Sequence, residues 1–315
     1  MIWLTWRQHR LEGLMTLGVL VVIGVFLLLT GRAMANSYQQ LGLSHCLGLI
    51  PPGSSCSASV QSFGLQYGLL LFIDNLLIVL PLLLGALVGA PLVAREVEEH
   101  THLLAWTQSI TRLRWLTMKV ALVLSAGLVA SGALLALLIW WYRPWSQLYG
   151  SFGSTAYDST GPVWVGVTLL ALALGILAGT LTRRVVFAIF LTIVLFVAIL
   201  TPVANLWRPN FEAPVTQIQP IGNANNNQST LSNRDWVISQ GYIDAQGNKH
   251  DGLIGCTSSQ TRAQCFQASG ARAIFVTYQP ADRFWIFQWI ETGIYLGFSL
   301  LALLATFWLT QRRLN

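Results

Sequence analysis

The chain has 315 residues, of which 54% are hydrophobic and 10% are charged, whereas a soluble domain carries about 25% charged residues. Its long runs of Leu, Val, Ile and Ala exclude an ordinary soluble domain, because only lipid solvates such runs in quantity. The net charge of +6 does not indicate a nucleic-acid-binding protein, since the basic residues are scattered near the ends of apolar segments.

Residues 1–13 precede the first apolar segment and place Trp3, Trp6, Arg7 and Arg10 at helical spacing. Indole rings favour headgroup depth and arginine favours the phosphates. The pattern therefore predicts a short amphipathic helix lying in the cytoplasmic interface. A plain positively charged flank is the alternative interpretation.

Six segments are apolar over a length sufficient to cross a bilayer as α-helices, since the hydrocarbon core requires about 20 residues. They are too long for barrel strands and do not alternate apolar with polar residues. Asp74 interrupts the second span, only three residues separate the fourth from the fifth, and the last span with its tail occupies residues 284–315. The predicted spans are residues 14–30, 67–93, 115–141, 163–181, 185–203 and 285–309.

The basic residues are distributed unequally between the two sides of these spans. One side contains both termini, residues 94–114 and the turn after the fourth span, and ten Lys and Arg residues lie at or near its short segments. The other side has eight in much longer loops, so the densities differ by roughly four to one. Because positively charged loops remain in the cytoplasm, the sequence predicts that both termini are cytoplasmic.

All four cysteines lie in loops that the charge distribution places outside the cytoplasm. They form two close pairs, each within one loop, and disulfides form in oxidising compartments rather than in the cytosol. We therefore predict the bonds Cys46–Cys56 and Cys256–Cys265. The alternative is four unpaired thiols.

Residues 204–283 form a long loop on the same outer side. The polar stretch 223–232 is predicted to be irregular, whereas Trp236–Ile243 and Ala273–Tyr278 have the composition of short strands. With one disulfide, the segment is predicted to be a small extracellular cap. The predicted fold is thus an all-α polytopic membrane protein of about six helices, with both termini inside and a disulfide-bearing loop domain outside.

Residues 94–114 join the second and third spans and read AREVEEHTHLLAWTQSITRLR. A dense run of charges comes first, an amphipathic stretch around Trp106 follows, and Arg112 and Arg114 precede the next span. About two turns of charged helix beneath the bilayer would form a stiff lever, and its acidic residues suit a basic groove on a soluble partner. The alternative is a solvated turn whose charges only keep it out of the bilayer.

The order Ala-Arg-Glu, acidic residues, Thr-His, Leu, Ala-Trp-Thr-Gln-Ser and Thr-Arg, with Lys119 further on, resembles the cytoplasmic loop of ABC-2-type transporter permeases. The N-terminal motif with Trp3, Arg7 and Arg10 is similar to that of such permeases from Gram-positive bacteria. The number of spans, the topology, the basic turn between the fourth and fifth spans and the long outer loop fit the same family.

The resemblance implies a permease subunit of an ABC exporter in the bacterial plasma membrane, with residues 94–114 forming a coupling helix on a separate ATPase subunit. It also implies a second permease copy or paralogue, surrounding membrane lipids, and a hydrophobic or amphipathic cargo such as a drug, an antimicrobial peptide or a lipid. The implied docking residues are Arg95, Glu96, Glu98, Glu99, His100 and Thr101.

The sequence contains no G-x-x-x-x-G-K-[ST] phosphate loop, and neither of its two lysines, Lys119 and Lys249, follows a glycine-rich turn. ATP and Mg²⁺ are therefore expected on the partner subunit. In this chain we expect no catalytic residue, no cofactor and no metal site.

Two carboxylates, Asp74 and Glu291, lie within or near the spans, where charge is costly and often functional. One interpretation is a polar site on the translocation path. The simpler one is a carboxylate at interface level that pairs with Asn75, Arg283 or a tyrosine.

Three other functions are alternatives for a chain of this kind. A stand-alone proton-coupled transporter needs ionisable groups at mid-membrane depth, and spans three to five contain almost none. A membrane sensor with an external ligand-binding loop remains open, because residues 204–283 have the features of an ordered segment. An intramembrane enzyme is disfavoured, since H-E-x-x-H is absent and none of the five histidines lies within a span.

Overall fold

The structure is a computed structural model, and it describes residues 2–46, 55–77, 79–99, 111–152, 154–220, 234–252 and 270–313. The helices of these ranges are α1 (Ile2–Gln40), α2 (Ser55–Leu77), α3 (Leu80–Glu98), α4 (Arg112–Tyr149), α5 (Ser154–Ser159), α6 (Val163–Thr182), α7 (Val185–Pro202) and α8 (Phe284–Arg313). The strands are β1 (Val215–Pro220), β2 (Trp236–Asp244), β3 (Lys249–Asp251) and β4 (Ala271–Gln279).

Six helices in the described part of the chain are long and apolar enough to cross a bilayer. This number agrees with the six predicted spans. The helix α1 begins at Ile2 and continues without interruption to Gln40, so the predicted interfacial segment 1–13 is the start of a longer helix and its location at the membrane surface stays a prediction. The six candidate spans are Leu17–Gln40, Leu80–Glu98, Leu113–Tyr149, Val163–Thr182, Val185–Asn210 and Ala281–Arg312.

The second predicted span, residues 67–93, is wrong as a single helix. It is divided between α2, which ends at Leu77, and α3, which begins at Leu80. Pro81 lies in the first turn of α3, where its missing N–H costs no hydrogen bond. Within α3, residues Gly85–Gly89 form a π-helical turn.

The helices alternate in direction through the bundle. The α1 and α4 helices run parallel, because Trp141 Nε1 donates to Thr30 Oγ1 (2.9 Å) and Leu137 lies one α4 turn earlier beside Gly24 of α1. The start of α4 and the end of α3 meet through Glu96 and Lys119. This end of the bundle is named the Glu96 end, and the opposite end, from which the β-strands extend, is named the sheet end.

The closest packing in the membrane region joins α3 to α6. Gly85 and Gly89 of α3 and Gly175 and Gly179 of α6 lie along this contact, and a Cβ on any of these four glycines would lie within 3.0 Å of a backbone atom of the other helix. Small residues four apart allow such backbone contact between membrane helices. The four glycines are named the glycine seam, and they fix α3 directly against α6.

The disulfide Cys46–Cys56 connects the end of α1 to the start of α2, with a Cα–Cα distance of 5.5 Å. The Tyr67 hydroxyl strengthens this hairpin, because it bonds the Ser37 hydroxyl (2.7 Å) and donates to the Ala33 carbonyl (3.1 Å). The bond between Cys46 and Cys56 confirms the first predicted disulfide. Cys256 and Cys265 lie outside the described residues, and their bond stays a prediction.

Outside the helices, the four strands form one antiparallel sheet in the order β1-β4-β2-β3. The strands β2 and β4 confirm the two strands predicted from composition. The predicted all-α fold class is incomplete, because the protein also contains this sheet. The β2–β3 turn is ordered by Asp244, whose carboxylate accepts hydrogen bonds from His250 and Asn248. These bonds, the one from His250 first, lower the pKa of Asp244 to about 2.

Candidate functional site

The end of α3 is held against the start of α4 by apolar contacts. Val93 and Val97 are buried and pack with Trp115 and Leu116 of α4. Val93 and Val97 lie on one face of the last two turns of α3, and this face is packed against α4. The charged residues of the same turns therefore project from a helix whose position is fixed.

Glu96 points towards α4 rather than away from the bundle. Its carboxylate forms an ion pair with Lys119, and the two side chains are 12% and 5% exposed. The Lys119 ammonium also lies 4.9 Å from the centre of the Trp115 ring, a cation–π contact. Because both charges are largely withdrawn from water, the loss of one would remove a close counter-charge from the other in a poor solvent.

Glu98 connects α3 to a third helix. Its Oε2 accepts a hydrogen bond from the backbone N–H of Val185 (3.0 Å), the first residue of α7. Arg184, at the N-cap of α7, supplies no side-chain bond of its own. A carboxylate at this position satisfies a free N–H and complements the positive end of the helix dipole, so Glu98 caps α7 from a neighbouring helix.

Arg95 and Glu99 form an i,i+4 ion pair (3.1 Å) on the exposed side of the same turn, with side chains 49% and 54% exposed. Of the predicted docking residues, Arg95, Glu98 and Glu99 thus lie on the surface of the Glu96 end, while Glu96 is mostly covered. His100 and Thr101 lie outside the described residues. The docking role of all six residues stays a prediction.

The sequence predicts two carboxylates, Asp74 and Glu291, within or near the membrane spans. Asp74 lies on α2, and its side chain is outside the described set. Glu291 lies on α8 and is fully buried. Its two oxygens accept hydrogen bonds from Arg208 (2.8 and 2.7 Å), and Oε1 also accepts one from the Tyr295 hydroxyl (2.9 Å).

Arg208 binds a second carboxylate, Asp158 of α5, at 2.5 Å. The guanidinium also lies 4.2 Å from the centre of the Tyr157 ring. Bidentate contact with Glu291 and stacking on an aromatic ring are geometries that favour arginine over lysine. The residues Arg208, Asp158, Glu291, Tyr157 and Tyr295 are named the Arg208 cluster.

The amide of Gln288, one turn before Glu291, fixes this part of α8 to the start of α6. Its Nε2 donates to the Tyr157 carbonyl (2.7 Å), and its Oε1 accepts from the Val163 N–H (3.2 Å). Gln288 is fully buried, and a Cβ on Gly161 would collide with it. Sequence reasoning identified Glu291 and offered an unspecified tyrosine as one of three alternative partners, another of which, Arg283, pairs with Glu212 instead. It missed Arg208, Asp158 and Gln288.

A family model described as ABC-2 membrane transporter related matches residues 17–208, more than half of the chain. The chain therefore belongs to this family, and the resemblance inferred from its sequence is confirmed. It is a multi-pass membrane transporter permease. The match extends from α1 through the Glu96 end to Arg208 and stops before the sheet and α8. No curated protein and no solved structure shows significant similarity to the chain.

Proposed function

We propose that the chain is the transmembrane subunit of an ATP-driven exporter in a bacterial plasma membrane, with both termini in the cytoplasm. In this proposal it moves a hydrophobic or amphipathic substrate (a drug, an antimicrobial peptide or a lipid) with energy from a separate ATPase subunit. The observation that carries the proposal is the charged end of α3, which lies within the family match and is bonded to both α4 and α7.

The exposed charges supply the docking surface in this proposal. Arg95, Glu98 and Glu99 face outward on one turn, and two of the three are acidic, so a basic groove on the partner complements them. His100 and Thr101, which follow in the sequence, take part in docking in this proposal. ATP and Mg²⁺ bind to the partner, which supplies the hydrolysis.

Glu96 has a different part in the proposal, because it faces Lys119 rather than the partner. It joins the docking turn to α4, and Glu98 joins the same turn to α7. A displacement of the last turn of α3, which includes Arg95 to Glu98, therefore acts on α3, α4 and α7 together. Movement of α3 is also passed directly to α6, because no side chains separate the two backbones along the glycine seam.

The proposed assembly contains two permeases, identical or paralogous, related by a twofold axis along the membrane normal. Apolar side chains remain exposed along the sides of α1, α7 and α8, including Val22, Val186, Phe190 and Leu301. These surfaces suit contact with lipid or with the second permease, since exposed apolar patches of this extent are not stable in water.

The test is purification of the tagged chain from its native membranes, followed by mass spectrometry and an ATPase assay. We expect a soluble ATPase to co-purify, and we expect Glu99→Lys to reduce both its recovery and its turnover about tenfold or more, as the loss of about 1.4 kcal/mol of binding would. The matched control is Asp251→Lys, which reverses an exposed charge on β3 at the sheet end.

Normal association and turnover in Glu99→Lys would contradict the docking surface. Transport by the chain alone, driven by a proton gradient in vesicles without nucleotide, would favour a stand-alone transporter. Failure to find any nucleotide-hydrolysing partner would overturn the proposal as a whole.

A further inference from the structure

The Arg208 cluster joins three segments that are distant in sequence. Arg208 follows α7, Asp158 lies 50 residues earlier on α5, and Glu291 lies 83 residues later on α8. We propose that this cluster is a latch that holds α5, α7 and α8 together at the sheet end and that must open in each transport cycle. The inference rests on the proposed function and adds a gate on the side opposite the ATPase.

The charges of the cluster favour a contact that opens and closes over one that is permanently formed. One guanidinium faces two carboxylates, so the ionised cluster has a surplus negative charge. A buried ion pair adds little stability compared with apolar residues of the same volume, so packing alone does not account for it. Its strength depends on the exclusion of water, because the attraction between two charges falls steeply as the surrounding dielectric constant rises.

The cluster is most accessible at Asp158. The Asp158 side chain is 29% exposed, whereas the Arg208 and Glu291 side chains are 8% and 0% exposed. The Asp158 contact is therefore the one that separates first. Arg208 keeps its two bonds to Glu291, which remains inside, and α5 loses its ion pair with Arg208 while Tyr157 keeps its contact with Gln288.

The backbone at Arg208 suits such a movement. The α7 helix ends at Pro202, continues as a π-helical turn over Val203–Trp207, and then tightens into a 3-10 turn over Arg208–Asn210. Irregular turns of this kind are frequent where a helix changes conformation. A shift at Arg208 rearranges this segment and leaves the regular helix before Pro202 intact.

The sheet is attached directly to the latch. Gln279, at the end of β4, donates hydrogen bonds to the carbonyls of Pro209 (3.2 Å) and Glu212 (2.7 Å). Arg283, just before α8, pairs with Glu212 at 2.7 Å. Opening of the latch therefore displaces the sheet together with the end of α7.

The test follows the reactivity of a cysteine placed beside the latch. Thr292 is next to Glu291, is 6% exposed and faces Gly166 of α6. The reporter is Thr292→Cys in the full chain with Cys256→Ser and Cys265→Ser, held in membrane vesicles and labelled with a water-soluble maleimide. Adding Glu291→Gln removes a latch charge at nearly constant shape, and Asp251→Asn, which removes an exposed charge on β3, is the control.

We expect Glu291→Gln to raise the labelling rate of the reporter about tenfold, because the buried Arg208 loses its main partner, and we expect Asp251→Asn to leave the rate unchanged. Asp158→Asn, at a partly exposed position, gives a second variant with the same expected direction should Glu291→Gln not fold. Equal labelling rates in the parent and in the folded latch variants overturn the latch.

The complex with its ATPase provides the second arm. We expect the reporter to be labelled at different rates in the nucleotide-free complex and in the complex trapped with ADP and vanadate. Equal rates in the two states of a complex that hydrolyses ATP overturn the latch and leave the proposed function standing. If no ATPase is found at all, the proposed function falls, and the latch falls with it as a step of that cycle.

Discussion

Glu96 on α3 and Lys119 on α4 form an ion pair whose side chains are 12% and 5% exposed. The pair joins the helices that precede and follow residues 99–111, and the exposed Arg95–Glu99 pair lies on the same turn of α3 as Glu96. The charges of this short stretch thus divide into an outward set, available to a partner, and an inward contact that stabilises the bundle.

The first prediction concerns the stability of the inward contact. Lys119→Met should lower the free energy of unfolding by about 3 kcal/mol, because it leaves the Glu96 carboxylate buried without its cation. The double variant Glu96→Gln/Lys119→Met should recover most of that loss, since neither charge then remains. Thermal unfolding of the purified variants measures both changes, and simple additivity of the two single variants would contradict the buried pairing.

The cap on α7 gives the second prediction. Glu98→Ala should cost about 1 kcal/mol, the usual effect of removing an acceptor from a helix N-terminus. The matched variant Glu99→Ala breaks only an exposed i,i+4 pair and should cost less than about 0.5 kcal/mol. If thermal unfolding shows the two variants to be equally stable, the bond from Val185 to Glu98 contributes nothing.

The glycine seam gives the third prediction. Gly175→Ala should destabilise the protein by roughly 1–3 kcal/mol, because the new methyl group would overlap the backbone of α3 and force the helices apart. Gly132→Ala on α4 is the control, since nothing lies within 4 Å of its added Cβ, and the alanine should be neutral or stabilising in a helix. Unfolding temperatures that fall equally in both variants would contradict the seam as a close contact.

The cysteines give the fourth prediction. We expect no thiol to react with maleimide in the denatured, unreduced protein and four to react after reduction. Replacing both Cys46 and Cys56 by serine should lower stability by about 3 kcal/mol, because the bond closes a short loop between α1 and α2. Detection of two free thiols that map to Cys256 and Cys265 would show that the second predicted bond is absent.

Hydropathy predicts the membrane helices well, but it locates one boundary wrongly. A window of about 20 residues averages over a break, so residues 67–93 have the hydropathy of one span. Pro81 is the available signal, because a proline is favoured in the first turn of a helix. The structure begins α3 at Leu80, one residue before that proline.

The partner of Glu291 shows a different limit. Burial of the charged Glu291 carboxylate is costly without a partner, so a partner is expected. Tyr295 is one turn away on the same helix and supplies a hydrogen bond. Arg208 is 83 residues distant, and in the sequence it is one of several arginines in outer segments. No local pattern connects it to α8, because that contact depends on how α5, α7 and α8 pack.

Glu96 shows that residue type predicts a role less well than it predicts a helix. The run Arg95, Glu96, Glu98, Glu99 correctly predicts a charged helical end, but in the sequence all four are equal candidates for docking. The direction of each side chain depends on which face of α3 packs on α4, and Val97 with Trp115 decides that face.

The glycine seam has a consequence for how force crosses the membrane. Where two helices meet through large side chains, rotamer changes absorb small displacements before the second backbone responds. At the glycine seam the two backbones meet without such an intervening layer, so little side-chain movement is available there to absorb a displacement. We expect a shift of α3 at the seam to move the facing part of α6 with it.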